Sequence, residues 1–200
     1  MCALRTLGER FGVKDLGSPV RLRLPVHDRV RFVLVRPHYP ENLGASARAL
    51  KAMGFDRLVL VKPGRLCVKE HDMAFKMAVK SWDVLSRVET VASVEEAVAG
   101  AGLVLATTAR SGVRGATPPR RLAPEVIRAA ARGDAIAILL GNEKTGLSDD
   151  EQRSATHFVR IPMAASQPSV NLAQAVQLLA YELFIAALEH REREAGILEP

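Results

Sequence analysis

Side chains able to do chemistry gather at three points where an apolar run breaks into a loop and a helix begins. The first is Asn42-Leu-Gly-Ala-Ser-Ala-Arg48, which follows the strand-like run Val30 to Arg36 and the breakers Pro37 and Pro40. The second is Leu140-Gly-Asn-Glu-Lys-Thr-Gly-Leu147, where Glu143 is the one carboxylate in a loop whose Gly141 and Gly146 suit backbone contacts. In the third, the β-branched run His157 to Ile161 stops at Pro162, a polar loop passes Pro168, and Ser169 is expected to cap a helix reaching about His190. A helix start has unpaired amides, so it is a natural holder of a polar ligand. On a helix from Asn42, residues Leu43, Ala47, Leu50 and Gly54 share one face, and Arg48 projects away from it. Taken singly, Asn42 reads as a cap, Arg48 as a solvated charge and Glu143 as a capping or salt-bridge group. The threefold recurrence of strand, loop and helix start is what raises the chemical reading.

The elements positioning these residues alternate. Arg57 to Val61, Leu103 to Thr108 and Ala135 to Leu140 read as buried strands, the last followed by a helix opened by Ser148. Glu70 to Lys80 reads as helix and Val84 to Val88 as a short strand, and Ser93 with Glu96 forms a capping box for a helix ending near Gly100. From Arg110 to Arg121 the chain carries too many breakers for regular structure. Its Arg110, Arg114, Arg120 and Arg121 suit either an RNA-contacting loop, the favoured reading, or a merely flexible one. The alternation implies an α/β fold, a mostly parallel sheet with helices on both faces. Residues 1–28 read as an arm, 29–192 as the domain and 193–200 as a tail.

Composition bounds the function. The chain of 200 residues is 48% hydrophobic and carries a net charge of +6, consistent with a polyanionic partner. Aromatics at 4% argue for a core of Ala, Val and Leu and against base stacking on an aromatic platform. Cys2 and Cys67 give neither a disulfide framework nor a metal spacing, which points to free thiols in a reducing cytoplasm. His71 reads as a surface residue with no metal-site spacing around it. No signal peptide is evident, and no run is expected to span a membrane.

The three segments, in this order, resemble the signature motifs of the SpoU/TrmH-type ribose 2'-O-methyltransferases, within the SPOUT class, over roughly residues 30 to 190. The resemblance implies a C-terminal deep trefoil knot, a homodimer, and S-adenosylmethionine as cofactor with no metal. It implies cofactor contacts from Thr107, Thr108 and Ala109, from Leu140, Gly141, Asn142 and Gly146, and from Ile161, Pro162, Met163 and Val170. The implied catalytic residues are Asn42, Arg48, Glu143, Ser169 and Asn171. Many relatives have Arg where Asn142 stands and Leu where Val170 stands. The run after Asn171 is nearest the subgroup acting on the tRNA anticodon loop, whose members often extend further at the C-terminus.

Methyl transfer from a sulfonium requires in-line approach of a nucleophilic oxygen and no covalent enzyme intermediate. A guanidinium keeps its proton, so Arg48 suits oxyanion stabilisation and phosphate clamping better than a base role. The 2'-hydroxyl proton would pass to phosphate, water or Glu143, with Asn42, Ser169 and Asn171 orienting Arg48 and the ribose. An rRNA 2'-O-methyltransferase of the same family and a non-catalytic RNA-binding module are the rival readings. A conventional nucleotide-binding fold is disfavoured, since Pro37-His-Tyr-Pro-Glu-Asn-Leu-Gly44 matches neither G-x-G-x-x-G nor a phosphate loop.

Overall fold

The computed structural model describes residues 22–110, 113, 115–164 and 169–197. Six strands form one sheet in the order β3-β2-β1-β5-β4-β6, and every pairing is parallel. They are β1 (Val30–Val35), β2 (Leu58–Val61), β3 (Glu89–Val91), β4 (Ala101–Thr107), β5 (Ala135–Leu140) and β6 (His157–Val159). The continuous apolar runs of β1 and β5 fit strands covered on both faces. Phe32, Leu34, Ile136 and Ile138 point to one core cluster, and Val33, Val35, Ala137 and Leu139 to the other.

The helices divide unequally between these faces. The first face receives α2 (Pro40–Ala52), α6 (Pro119–Ala131) and α7 (Leu172–Glu194), together with the short α1 (Pro25–Arg29), α3 (Asp72–Met77) and α4 (Trp82–Ser86). The second is covered by α5 (Val94–Val98) and by Leu147, Ala155 and Phe158. The core reaches back into the expected arm, since Leu24 and Val26 are buried in it.

Five local expectations change. Residues 82–86 form α4 rather than a strand, because Val84 and Leu85, adjacent in sequence, both enter the core, whereas a strand would send them to opposite faces. The basic stretch becomes helical from Pro119, whose missing amide is harmless at a first helical position. Ser148 and Glu151 make reciprocal side-chain bonds to each other's amides, yet only turns follow, since β6 begins at His157. The cap of α7 is Asn171, not Ser169: its Oδ1 accepts from Ala173 and Gln174 amides at 2.9 and 3.3 Å, and Gln174 accepts from the Asn171 amide. By length and composition α7 could cross a membrane, contrary to expectation, but it is the core helix here, with Val176, Leu179, Ala180 and Leu183 buried.

Candidate active site

The chain winds from β1 outward through β2 to β3, then crosses to β4, with β5 inserted between β1 and β4. Loops at strand carboxyl ends meet where this order reverses, the usual ligand position in open α/β sheets. Here they enclose a cavity of about 250 Å³. One wall is Thr107, Thr108, Ala109 and Arg110, and a second is the loop from Leu140 to Leu147. The third is Ile161, Met163, Ser169 and Val170, continued by Leu172 and Ala175 of α7. All the expected cofactor residues line it except Pro162.

Backbone packing shapes this space. A Cβ on Gly141 would lie 2.2 Å from the Gly146 carbonyl carbon and 2.3 Å from the Leu147 nitrogen, so the loop closes on itself only with glycine there. Thr107 Oγ1 donates to Leu139 O at 3.0 Å, and the Thr108 amide to Val159 O at 2.9 Å, fixing the first wall to β5 and β6. The cavity therefore combines aliphatic walls with a backbone-lined rim. That combination suits a flat heterocycle carrying polar edges.

Behind the cavity the three motifs are joined by side chains. Asn171 Nδ2 donates to Asn42 Oδ1 at 2.9 Å, and Asn42 Nδ2 donates to Glu143 Oε1 at 2.8 Å. Glu143 also accepts from the His38 amide at 3.0 Å and the Tyr39 amide at 3.3 Å, just ahead of α2. A carboxylate at a helix N-terminus is favoured by the helix dipole as well as by these bonds. Asn42 is buried and Glu143 lines the cavity. Asn171 spends its oxygen on the cap and its amide on Asn42, which sets the direction of the whole chain of bonds.

Asn142 has a defined role. Its Nδ2 donates to Arg36 O at 2.7 Å, and its Oδ1 accepts from the Lys144 amide at 2.9 Å and the Thr145 amide at 3.3 Å. Arg36, outside the three motifs, holds the same loop from the other side. Its guanidinium donates to Gly146 O at 3.2 Å and to Glu151 Oε2 at 2.9 Å. The ion pair draws the Glu151 carboxyl below its ordinary value, against the opposing effect of burial, and raises Arg36. These partners lie more than a hundred residues away in sequence, and the sole local hint was a charge ending an apolar strand. Cys67 is also close by, donating to Tyr39 O at 3.6 Å. Burial, with Glu143 and Glu41 adding, pushes its thiol up to about 12, so it stays protonated and is no nucleophile.

The arginines separate. Arg48 is exposed on α2, does not line the cavity, and has no hydrogen bond or ion pair among the described residues. Arg110 lines the cavity and pairs with Asp149 at 2.7 Å. Arg120, expected in an open loop, is on α6 and makes a two-pronged pair with Glu182 of α7 at 2.9 and 3.0 Å. Arg121 is exposed on α6, and Arg114 lies outside the described residues.

A parallel α/β sheet with three interlocked loops around a cavity at its topological switch defines a ligand-binding enzyme scaffold. The chain belongs to the SpoU rRNA Methylase family, whose sequence model matches residues 29–181. It is 36% identical over 174 residues to the tRNA (cytidine/uridine-2'-O-)-methyltransferase TrmJ of Yersinia enterocolitica, covering 85% of this chain and 65% of that relative. It thus spans about two thirds of the length of such relatives. Among solved structures, a probable methyltransferase from Bordetella pertussis Tohama I is 34% identical with a TM-score of 0.77, over 81% of this chain and 98% of that one. An AdoMet-bound rRNA methyltransferase from Sinorhizobium meliloti is 25% identical with a TM-score of 0.63, over 86% of this chain and 60% of that one.

Proposed function

We propose that the protein methylates a ribose 2'-hydroxyl of RNA, with tRNA as the favoured substrate, using S-adenosylmethionine held in the cavity. The observation that carries this reading is the bond chain Asn171 to Asn42 to Glu143, which ties all three motifs together around one pocket. The pocket fits the cofactor: Leu140, Ile161, Met163 and Val170 offer apolar walls, and the glycine-closed loop offers backbone groups. S-adenosylmethionine, when bound, supplies an electrophilic methyl group on a sulfonium. The TrmJ relatives favour tRNA over rRNA, which remains the second substrate to assay.

Residue roles follow from the geometry. Glu143 already accepts three hydrogen bonds, so its role is positioning rather than proton acceptance, and Asn42 and Asn171 hold it there. Ser169, released from capping, lines the cavity and can orient the ribose. Arg48 offers donors that are unpaired among the described residues for a developing alkoxide and the neighbouring phosphate. Since it lies off its own cavity, we assign it to the cavity of a second copy in a two-fold dimer. Leu178 and Tyr181 leave an apolar face of α7 exposed for such a contact, whereas Leu188 is buried in the core.

We also infer that the C-terminal segment is threaded as a deep trefoil knot. Thr108 bonds to Val159 on one side of β6, and Thr117 bonds to Phe158 and Arg160 on the other. Bonds from Thr108 and Thr117 to the two edges of β6 support this reading. The deciding assay is transfer of labelled methyl to unmodified bulk tRNA and, in parallel, rRNA, followed by nuclease digestion and mass spectrometry. A 2'-O-methyl nucleotide is expected. Label on a base, or on no RNA, would sink the reading.

A further inference from the structure

The one tryptophan of this sequence, Trp82, is not in the core: its side of the molecule leaves it 48% exposed, beside Phe75 at 52%. The two rings stack with centroids 4.9 Å apart and planes 5° from parallel. Trp82 Nε1 donates to Phe75 O at 3.2 Å, which fixes the indole against the end of α3. In a chain with 4% aromatics, a rigid, exposed pair of parallel rings calls for an explanation beyond packing.

Its location relative to α2 supplies one. Gly44, Arg48 and Lys51 follow one another at spacings of four and three, so they share a stripe on that helix. At one end of the stripe Gly44 is pressed against Ala74 of α3, where an added Cβ would lie 2.0 Å from the Ala74 oxygen. At the other end Lys51 Nζ donates to Lys80 O at 2.7 Å and to Asp83 Oδ1 at 2.6 Å, at the start of α4. Arg48 therefore emerges beside the same α3–α4 segment that carries the ring pair. On the α3–α4 segment itself, Lys76 and Lys80 are exposed and form no ion pair among the described residues, while Asp83 is paired with Lys51 and Arg87 and Asp72 is exposed.

We propose that the Phe75–Trp82 pair is a stacking platform for an unpaired base of the RNA substrate, close to the nucleotide whose ribose Arg48 addresses. A third flat ring extends a parallel stack at no cost in geometry, every base has such a face, and the flanking lysines can neutralise its phosphates. The inference rests on the RNA methyltransferase reading above. It runs against the expectation from composition, because scarcity of aromatics does not prevent two of them from meeting at the surface.

Because Trp82 is the only indole, its emission reports on this site alone. The protein is titrated with unmodified bulk tRNA while binding is followed separately by filter retention. Emission should be quenched in step with binding. Trp82→Ala should raise KM for tRNA roughly 5- to 100-fold, as expected for loss of one stacked base, with kcat at saturating tRNA and cofactor affinity retained. Trp82→Phe should recover most of the loss, and a matched melting temperature for that variant shows that the fold is kept. Unquenched emission at saturating tRNA, or an unchanged KM in Trp82→Ala, overturns the platform. So does conversion of Trp82→Ala to monomers, which would mean that a second copy covers the rings. If the wild-type protein methylates tRNA and Trp82 is silent, only this inference falls; if no RNA is bound or methylated, the functional reading falls with it.

Discussion

Asn42 Nδ2 and Glu143 Oε1, 101 positions apart in sequence, are 2.8 Å apart in the folded protein, and this bond joins the start of α2 to the loop after β5. Glu143 is then an internal strut that holds two motifs at a fixed separation. Glu143→Ala removes the acceptor for three donors and should cost about 1–3 kcal/mol of stability, read from urea unfolding. Glu143→Gln should recover only part, because its amide nitrogen would face donors. Unchanged stability in both variants would return Glu143 to a solvent-facing role.

Much of this was legible in the sequence. The parallel α/β class, the strands other than β3 and the cavity-lining loops follow from apolar runs ending in Gly, Pro or a capping residue, signals that act over a few residues. What the sequence hid depends on contacts distant in the chain. Arg36 and Asn142 look unremarkable until β1 and β5 pair in register, with Leu34 beside Leu140, and bring the two loop starts together. Ser169 and Asn171 are both good caps by residue type, and the reciprocal bond from Gln174 decides for Asn171 as the cap of α7. Arg120 read as free for RNA because Glu182, its partner, is 62 positions away.

Arg36 should matter for cofactor affinity more than for chemistry. It holds the Asn142–Glu151 loop by its carbonyl at one end and by its guanidinium at the other, without lining the cavity. Arg36→Ala should raise KM for S-adenosylmethionine about tenfold or more, the loss expected when a charged hydrogen bond is removed, with kcat at saturation little changed. Arg36→Lys should rescue partially, since one ammonium cannot span both Gly146 O and the Glu151 carboxylate. A fall in kcat with KM constant would contradict the positioning role.

The Arg36–Glu151 pair also sets a pH dependence. Glu151 is held below its ordinary 4.5, so its contribution to stability is complete above that value and is lost as pH falls through the depressed folded value. The difference in melting temperature between wild type and Glu151→Gln should be level from neutrality to roughly pH 5 and shrink below it. A difference that grows on acidification would have the wrong sign and would refute the ion pair.

Arg48→Ala should reduce methyl transfer roughly a hundred- to a thousand-fold, the usual cost of losing one donor to a developing oxyanion. Cofactor affinity, measured by calorimetry, should be nearly unchanged because Arg48 lies off the cavity. Arg48→Lys should also be poor, as a point charge does not reproduce a planar two-pronged contact. Near-normal turnover in Arg48→Ala would remove Arg48 from the mechanism.

The separation of Arg48 from the cavity of its own chain leads to the most discriminating test, subunit complementation. Gly141→Ala should block the cavity, because its Cβ would collide with Gly146 and Leu147, while Arg48 on α2 and the exposed face of α7 are outside that collision. Arg48→Ala and Gly141→Ala dimers are each expected to be inactive. If Arg48 serves the cavity of the second copy, a mixed dimer contains one site with both parts intact. Random exchange of equal amounts should then restore about a quarter of wild-type activity, from half the dimers carrying one working site of two. Mixing after partial denaturation and refolding, with light scattering to confirm dimers, makes the exchange measurable. A mixture that stays inactive although mixed dimers have formed would mean that Arg48 acts within its own chain or not at all.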